Sequence, residues 1–196
     1  MDGSVSRIDE HQFLVALSNL RTAEVTALLA AVAERLQPLG ARYFGADSNQ
    51  IQTLERLLSD VWTTVSQPGT TIDLSDIDHV IGLYPDEDEP SPQAPYAQNA
   101  VGAVAYAARH ALDPSSDNRT WCVRQCFEAA EVAASADGPL LDFEYAPITV
   151  PDSRFISEVE EALARDLITV CQVSWDPAQL RRDALDLGRR WARSWP

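Results

Sequence analysis

Ile51, Leu54, Leu57, Leu58, Val61, Trp62 and Val65 follow one another at steps of three and four residues, a spacing that lines one face of an α-helix. The same rhythm recurs along the chain. Thr22 to about Gln37 places Val25, Leu28, Leu29, Val32 and Leu36 together, with Thr22 as cap and Glu24 in the first turn, where the helix dipole favours an acid. Pro38 must kink or end that helix. Leu39, Tyr43 and Phe44 nevertheless continue its apolar face, so a kinked helix reaching Phe44 is expected.

Further elements follow by the same reasoning. Leu74, Ile77, Val80 and Ile81 predict a short helix over 73–83, and Tyr96 to Leu112 reads as an alanine-rich helix whose small side chains suit a central position. Asp113, Pro114 and Ser115 then make a turn. The next helix carries Trp121, Cys122, Gln125, Cys126, Ala129 and Val132 as far as Asp137 and Gly138. So brief a connection predicts an antiparallel hairpin. Asp152 or Ser153 caps a helix with Phe155, Ile156, Val159, Leu163, Leu167 and Val170. Asp176 and Pro177 open a last one, over 177–195, in which Leu180, Ala184, Leu187, Trp191 and Trp195 share a face. Two segments break the pattern: a proline-rich acidic stretch at about 84–95, read as a mobile loop, and a proline-rich connection at 138–151. Seven or eight helices without a convincing strand predict an all-α fold, a helical bundle forming a single domain over residues 1–196.

Charge narrows what such a bundle can do. Thirty acids against fifteen bases leave −15, and every base is arginine because the chain has no lysine. Such a balance repels phosphate backbones, so neither nucleic acid nor an anionic membrane is an expected partner. Lysine chemistry, Schiff bases and the P-loop included, is absent as well. Three cysteines do not make a disulfide framework, and the acids Asp2, Asp9 and Glu10 ahead of Phe13 to Leu17 do not make a signal peptide. With no apolar stretch of about 20 residues, a cytoplasmic setting is expected.

The order of these helices resembles a family. Val25 to Leu36 with the aromatic pair Tyr43 and Phe44, the Leu54 to Trp62 helix, the Ile77 to Leu83 helix running into Pro85 and acids, and the Tyr96 to Leu112 helix closed by Asp113 and Pro114 are together similar to the bacterial YjaG-like family of all-helical proteins of unknown function. The resemblance spans roughly residues 20–170. It implies a helical fold and carries no catalytic residue onto this chain.

No reaction is written in the residues. Cys122 and Cys126 lie four apart with His110 across the hairpin, but a structural zinc site needs matched close pairs, so buried structural cysteines are the better reading and no metal or cofactor is expected. Glu128 and Glu131 are an i, i+3 pair that reads as surface carboxylates. His11, His79 and His110 are scattered, and neither a nucleophile elbow nor a glycine-rich phosphate loop occurs.

The uneven distribution of charge is more informative. Residues 71–90 hold seven acids and no arginine: Asp73, Asp76, Asp78, Asp86, Glu87, Asp88 and Glu89. Arg181, Arg182, Arg189, Arg190 and Arg193 cluster in the last helix. The first group predicts a surface that attracts a basic protein, an immunity-protein or antitoxin type of inhibitor being the concrete form. For the second, the plain account is that the apolar stripe packs on the bundle while the arginines pair with acids elsewhere in the same molecule. Its alternative is a homo-oligomer interface built from Arg189, Arg190, Trp191 and Trp195, residue types enriched at binding hot spots. A different function class, an enzyme or small-ligand protein, requires a pocket inside the bundle where Tyr96, His110, Glu128 or Trp121 converges with a perturbed carboxylate.

Overall fold

A computed structural model describes residues 7–67, 69–86, 91–137 and 153–196. Among them are eight helices and no strand: α1 (Glu10–Leu17), α2 (Thr22–Phe44), α3 (Asn49–Ser66), α4 (Leu74–Ile81), α5 (Ala94–Leu112), α6 (Ser116–Asp137), α7 (Arg154–Val170) and α8 (Pro177–Ser194). The fold is all-α. The proline-rich connection at 138–151 lies outside the described residues, as does part of the acidic stretch expected to be a mobile loop.

The bundle is built around α2 together with α5, whose alanine content predicts its central position and which is buried along most of its length. From Glu24 to Gln37 every residue of α2 is buried, because α3, α5, α6, α7 and α8 all pack against it. A helix covered on all sides has no polar face to spare. The small residues of α5 serve its flank: a Cβ added at Gly40 of α2 would stand 2.8 Å from the Ala100 Cβ, so the two backbones approach closely there. Gly188 does the same for α8, where an added Cβ would fall 2.3 Å from the Arg35 carbonyl oxygen.

Local chemistry explains the helix ends. The predicted cap Thr22 is instead the first helical residue of α2. Arg21 is the cap, and its backbone N–H donates to the Glu24 carboxylate at 2.9 Å, the N3 half of a capping box, while no side chain at position 21 accepts a first-turn N–H as a threonine hydroxyl would. Pro38 stays inside α2, which runs on to Phe44. Packing on several sides outweighs the missing hydrogen bond. At α1, a helix not anticipated from the apolar run Phe13 to Leu17, Asp9 and Gln12 cap each other and Phe13 and Leu17 enter the core. The expected α5–α6 hairpin is present: Ala103 meets Cys122 and Tyr106 stacks on Trp121, an antiparallel register. In contrast, α7 rests mainly on α6 while α8 rests on α2 and α3. The consecutive helices α7 and α8 therefore diverge, and a groove opens between them.

Candidate functional site

On α4, Ile77 and Val80 are buried against α3 and α5, which turns Asp73, Leu74, Ser75, Asp78 and His79 outward, all exposed. Asp73 caps the helix by accepting the Ser75 N–H at 2.9 Å, and that hydrogen bond holds its carboxyl below the usual carboxylate range. Asp76 is half-buried and lies 3.5 Å from Arg56. No arginine approaches Asp73 or Asp78 within ion-pair distance among the described residues. Asp86 is exposed. Glu87, Asp88 and Glu89 lie outside the described residues. Leu74, next to Asp73 in the chain, is 66 % exposed.

The last helix divides differently. Trp191 and Trp195 are buried, stacked on each other at 4.6 Å between ring centroids, with Phe155 edge-on to Trp195 at 5.5 Å. Trp195 also donates its indole N–H to Glu158 at 3.0 Å. As anchors for a second copy of the chain, both tryptophans are already spent on this chain's own core. Arg189 and Arg190 are exposed, Arg189 lying 3.4 Å from Asp186. Arg181 and Arg182 pair with Glu34 and Asp176. Among the described residues Arg181 alone of the five thus pairs with an acid outside this segment, while Arg182 and Arg189 pair with the helix cap Asp176 and with Asp186 of the same helix.

The residues that a pocket inside the bundle needs do not converge. Tyr96 and His110 are both buried but fourteen positions apart on α5, about 21 Å along the axis at 1.5 Å per residue. Trp121 is 51 % exposed and stacked on Tyr106. Glu128 and Glu131 converge on Arg124, at 3.3 and 2.9 Å, together with Glu10 of α1 at 3.1 Å. This guanidinium ties α1 to α6. Cys122 and Cys126 are buried, and Cys122 Sγ lies 3.5 Å from the Ala103 carbonyl oxygen. Among the described residues no three His, Cys, Asp or Glu side chains are grouped to hold a metal ion.

Sequence reasoning missed Glu34 and Arg35. Their signal is an adjacent charged pair inside the otherwise uncharged run from Val25 to Gln37. Glu34 accepts the Trp62 indole N–H at 2.9 Å and faces Arg181 Nε at 3.2 Å. Burial raises its pKa, against the pull of Arg181. It lies in a cleft of about 680 Å³ between α2, α3 and α8 that Glu55 and Arg56 also line. Arg35, on the other side of α2, is ion-paired with Asp166 of α7.

This arrangement of helices has a solved counterpart. It is similar to the crystal structure of a DUF416 family protein from Shewanella baltica OS155, with a TM-score of 0.71 over 89 % of this chain and 93 % of that one, at 15 % sequence identity. At that identity the likeness shows the fold alone. No protein-family model matches the chain, and no curated protein does. No helix among the described residues is long and apolar enough to cross a membrane.

Proposed function

We propose that the chain is a non-enzymatic binding protein whose α4 face docks a basic protein partner. The supporting observation is the contrast between Asp73 and Asp78, exposed and without an arginine nearby, and the arginines of α8, most of which are paired within the molecule. Unpaired surface acids project a negative field that steers a basic partner into encounter. Leu74, exposed next to Asp73, adds apolar surface to the contact. An inhibitor that masks the positive cleft of another protein, in the manner of an immunity protein or antitoxin, is the specific form of this reading.

The test is affinity capture from the native host with the wild-type chain and with D73N/D78N/D86N, followed by association kinetics on whatever basic protein is retained. Asparagine keeps the helix cap at position 73, so the melting temperature should change little. Association should slow at least severalfold in the variant and fall steeply with salt. A partner whose association ignores both salt and these substitutions overturns the proposal.

A further inference from the structure

In a chain with twice as many acids as arginines, unpaired arginines should be scarce and scattered. Three of them meet in the groove between α7 and α8. Two adjoining clefts of about 420 and 480 Å³ share Arg165, Leu187 and Arg190 in their walls, and Arg193 lines the first. Arg165, Arg190 and Arg193 are all exposed, and none has a carboxylate within ion-pair distance among the described residues. Arg165 Nε makes only a backbone contact, to the Glu161 carbonyl at 3.2 Å.

Each acid of the same groove has a hydrogen-bond or ion-pair partner other than these three arginines, and Asp166 also feels the charge of Arg165. Glu158 accepts the Trp195 indole, Glu161 lies 3.4 Å from Arg7, Asp166 holds Arg35, Asp183 accepts Gln179 at 2.7 Å and Asp186 faces Arg189. A second, independent sign lies in the wall of the larger cleft. Arg35 is 2 % exposed and lines it, yet only its Nη2 is bonded, to Asp166, while Nε and Nη1 have no hydrogen-bond partner. Buried donors of this kind are normally satisfied, and each exception calls for an explanation. Ala162, Ile168, Leu180 and Leu187 add apolar surface to the larger cleft, beside Asp166, Thr169, Asp183 and Asp186.

We propose that the α7–α8 groove binds a small organic anion, a carboxylate or phosphate carried on an apolar body, gripped by Arg165 and Arg190. Arginine forks match both anions bidentately, and the cleft volumes fall in the range of small-molecule sites, about 300 to 1,000 Å³. The site is separate from the acidic face, since α4 packs on α3 and α5.

Titration calorimetry on the full chain, with hexyl phosphate, hexanoate and inorganic phosphate as probes, tests this. One or both of the hexyl anions should bind with unit stoichiometry, and whichever binds more tightly names the headgroup. Inorganic phosphate should bind at least tenfold more weakly than hexyl phosphate. R165Q and R190Q should each weaken the binding of the hexyl anion at least fivefold. R109Q, which removes an exposed arginine on α5, should leave it unchanged. Circular dichroism melts of these surface variants confirm that they fold. No binding by either hexyl anion, or affinities indifferent to R165Q and R190Q, overturns the proposal. So does a concentration-dependent dimer in sedimentation that R190Q abolishes, because the groove's occupant is then a second copy of the chain.

Discussion

Arg35 on α2 and Asp166 on α7, 131 positions apart in sequence, form an ion pair inside the core, with side chains 2 % and 7 % exposed. Removing one partner strands the other's charge in a medium that solvates it poorly. D166N should therefore lower unfolding stability by about 3–5 kcal/mol, whereas R35M/D166L, which removes both charges, should lie within about 1–2 kcal/mol of wild type. Urea denaturation of the two variants decides it. Equal losses would mean that packing, and not the charge pair, sets the cost.

The backbone of Arg35 is as constrained as its side chain. An alanine at position 188 would place Cβ 2.3 Å from the Arg35 carbonyl oxygen and 2.8 Å from its Cα. Neither atom can swing aside, so α8 must move off α2. G188A should cost about 1–3 kcal/mol by overpacking, despite the gain of about 1 kcal/mol that alanine brings to a helix interior. G102A is the comparison. Its new Cβ meets Gln125 Oε1 at 2.4 Å and Tyr84 Oη at 2.7 Å, the ends of side chains that can turn away, so its melting temperature should fall less.

How far the sequence discloses this molecule depends on how local each signal is. The registers of α3, α7 and α8 are legible because apolar periodicity states which face is buried without saying against what. The spacing of Leu180, Leu187, Trp191 and Trp195 foretells a stripe that packs on the bundle, and Trp191 and Trp195 do so. Long-range partners carry no such mark. Glu34 and Arg35 look like a solvated pair until α3, α7 and α8 arrive to cover them. The eight residues of α1 bury only Phe13 and Leu17, too few to show a period, and the Asp9–Gln12 capping pair is the signal that could have found it. Of the candidate acidic face, the exposure of Asp73 and Asp78 follows from the Ile77 and Val80 spacing. The unpaired arginines of the α7–α8 groove were beyond reach, because whether an arginine is paired depends on tertiary neighbours.

The three thiols should separate cleanly by reactivity. Cys171 is exposed, while Cys122 and Cys126 are buried. Burial pushes both thiols up, Cys126 to about 12, so their nucleophilic thiolates are scarce at neutral pH. An aromatic disulfide reagent should titrate one thiol in the native protein and three in guanidinium. C171S should abolish the native reaction. A second thiol reacting at the native rate would show that the α5–α6 seam opens readily.

His110 gives the fold a specific acid sensitivity. It is 2 % exposed near the end of α5, and burial, opposed by the Ser115 backbone and by Asp113 and assisted by the charge of Arg119, lowers its pKa to about 4. In the unfolded chain the ring titrates near its ordinary value of about 6.5. Between these two values the unfolded state binds the extra proton, so stability rises with pH across the window and is lost as the pH falls from about 6.5 towards 4. The difference amounts to about 3 kcal/mol when the window has been fully crossed. H110L removes this proton while keeping an apolar filling. Urea denaturation at several pH values should show a flatter profile for H110L than for wild type between pH 6.5 and 4, whatever the variant's absolute stability. Parallel profiles would mean that the ring is protonated equally in both states.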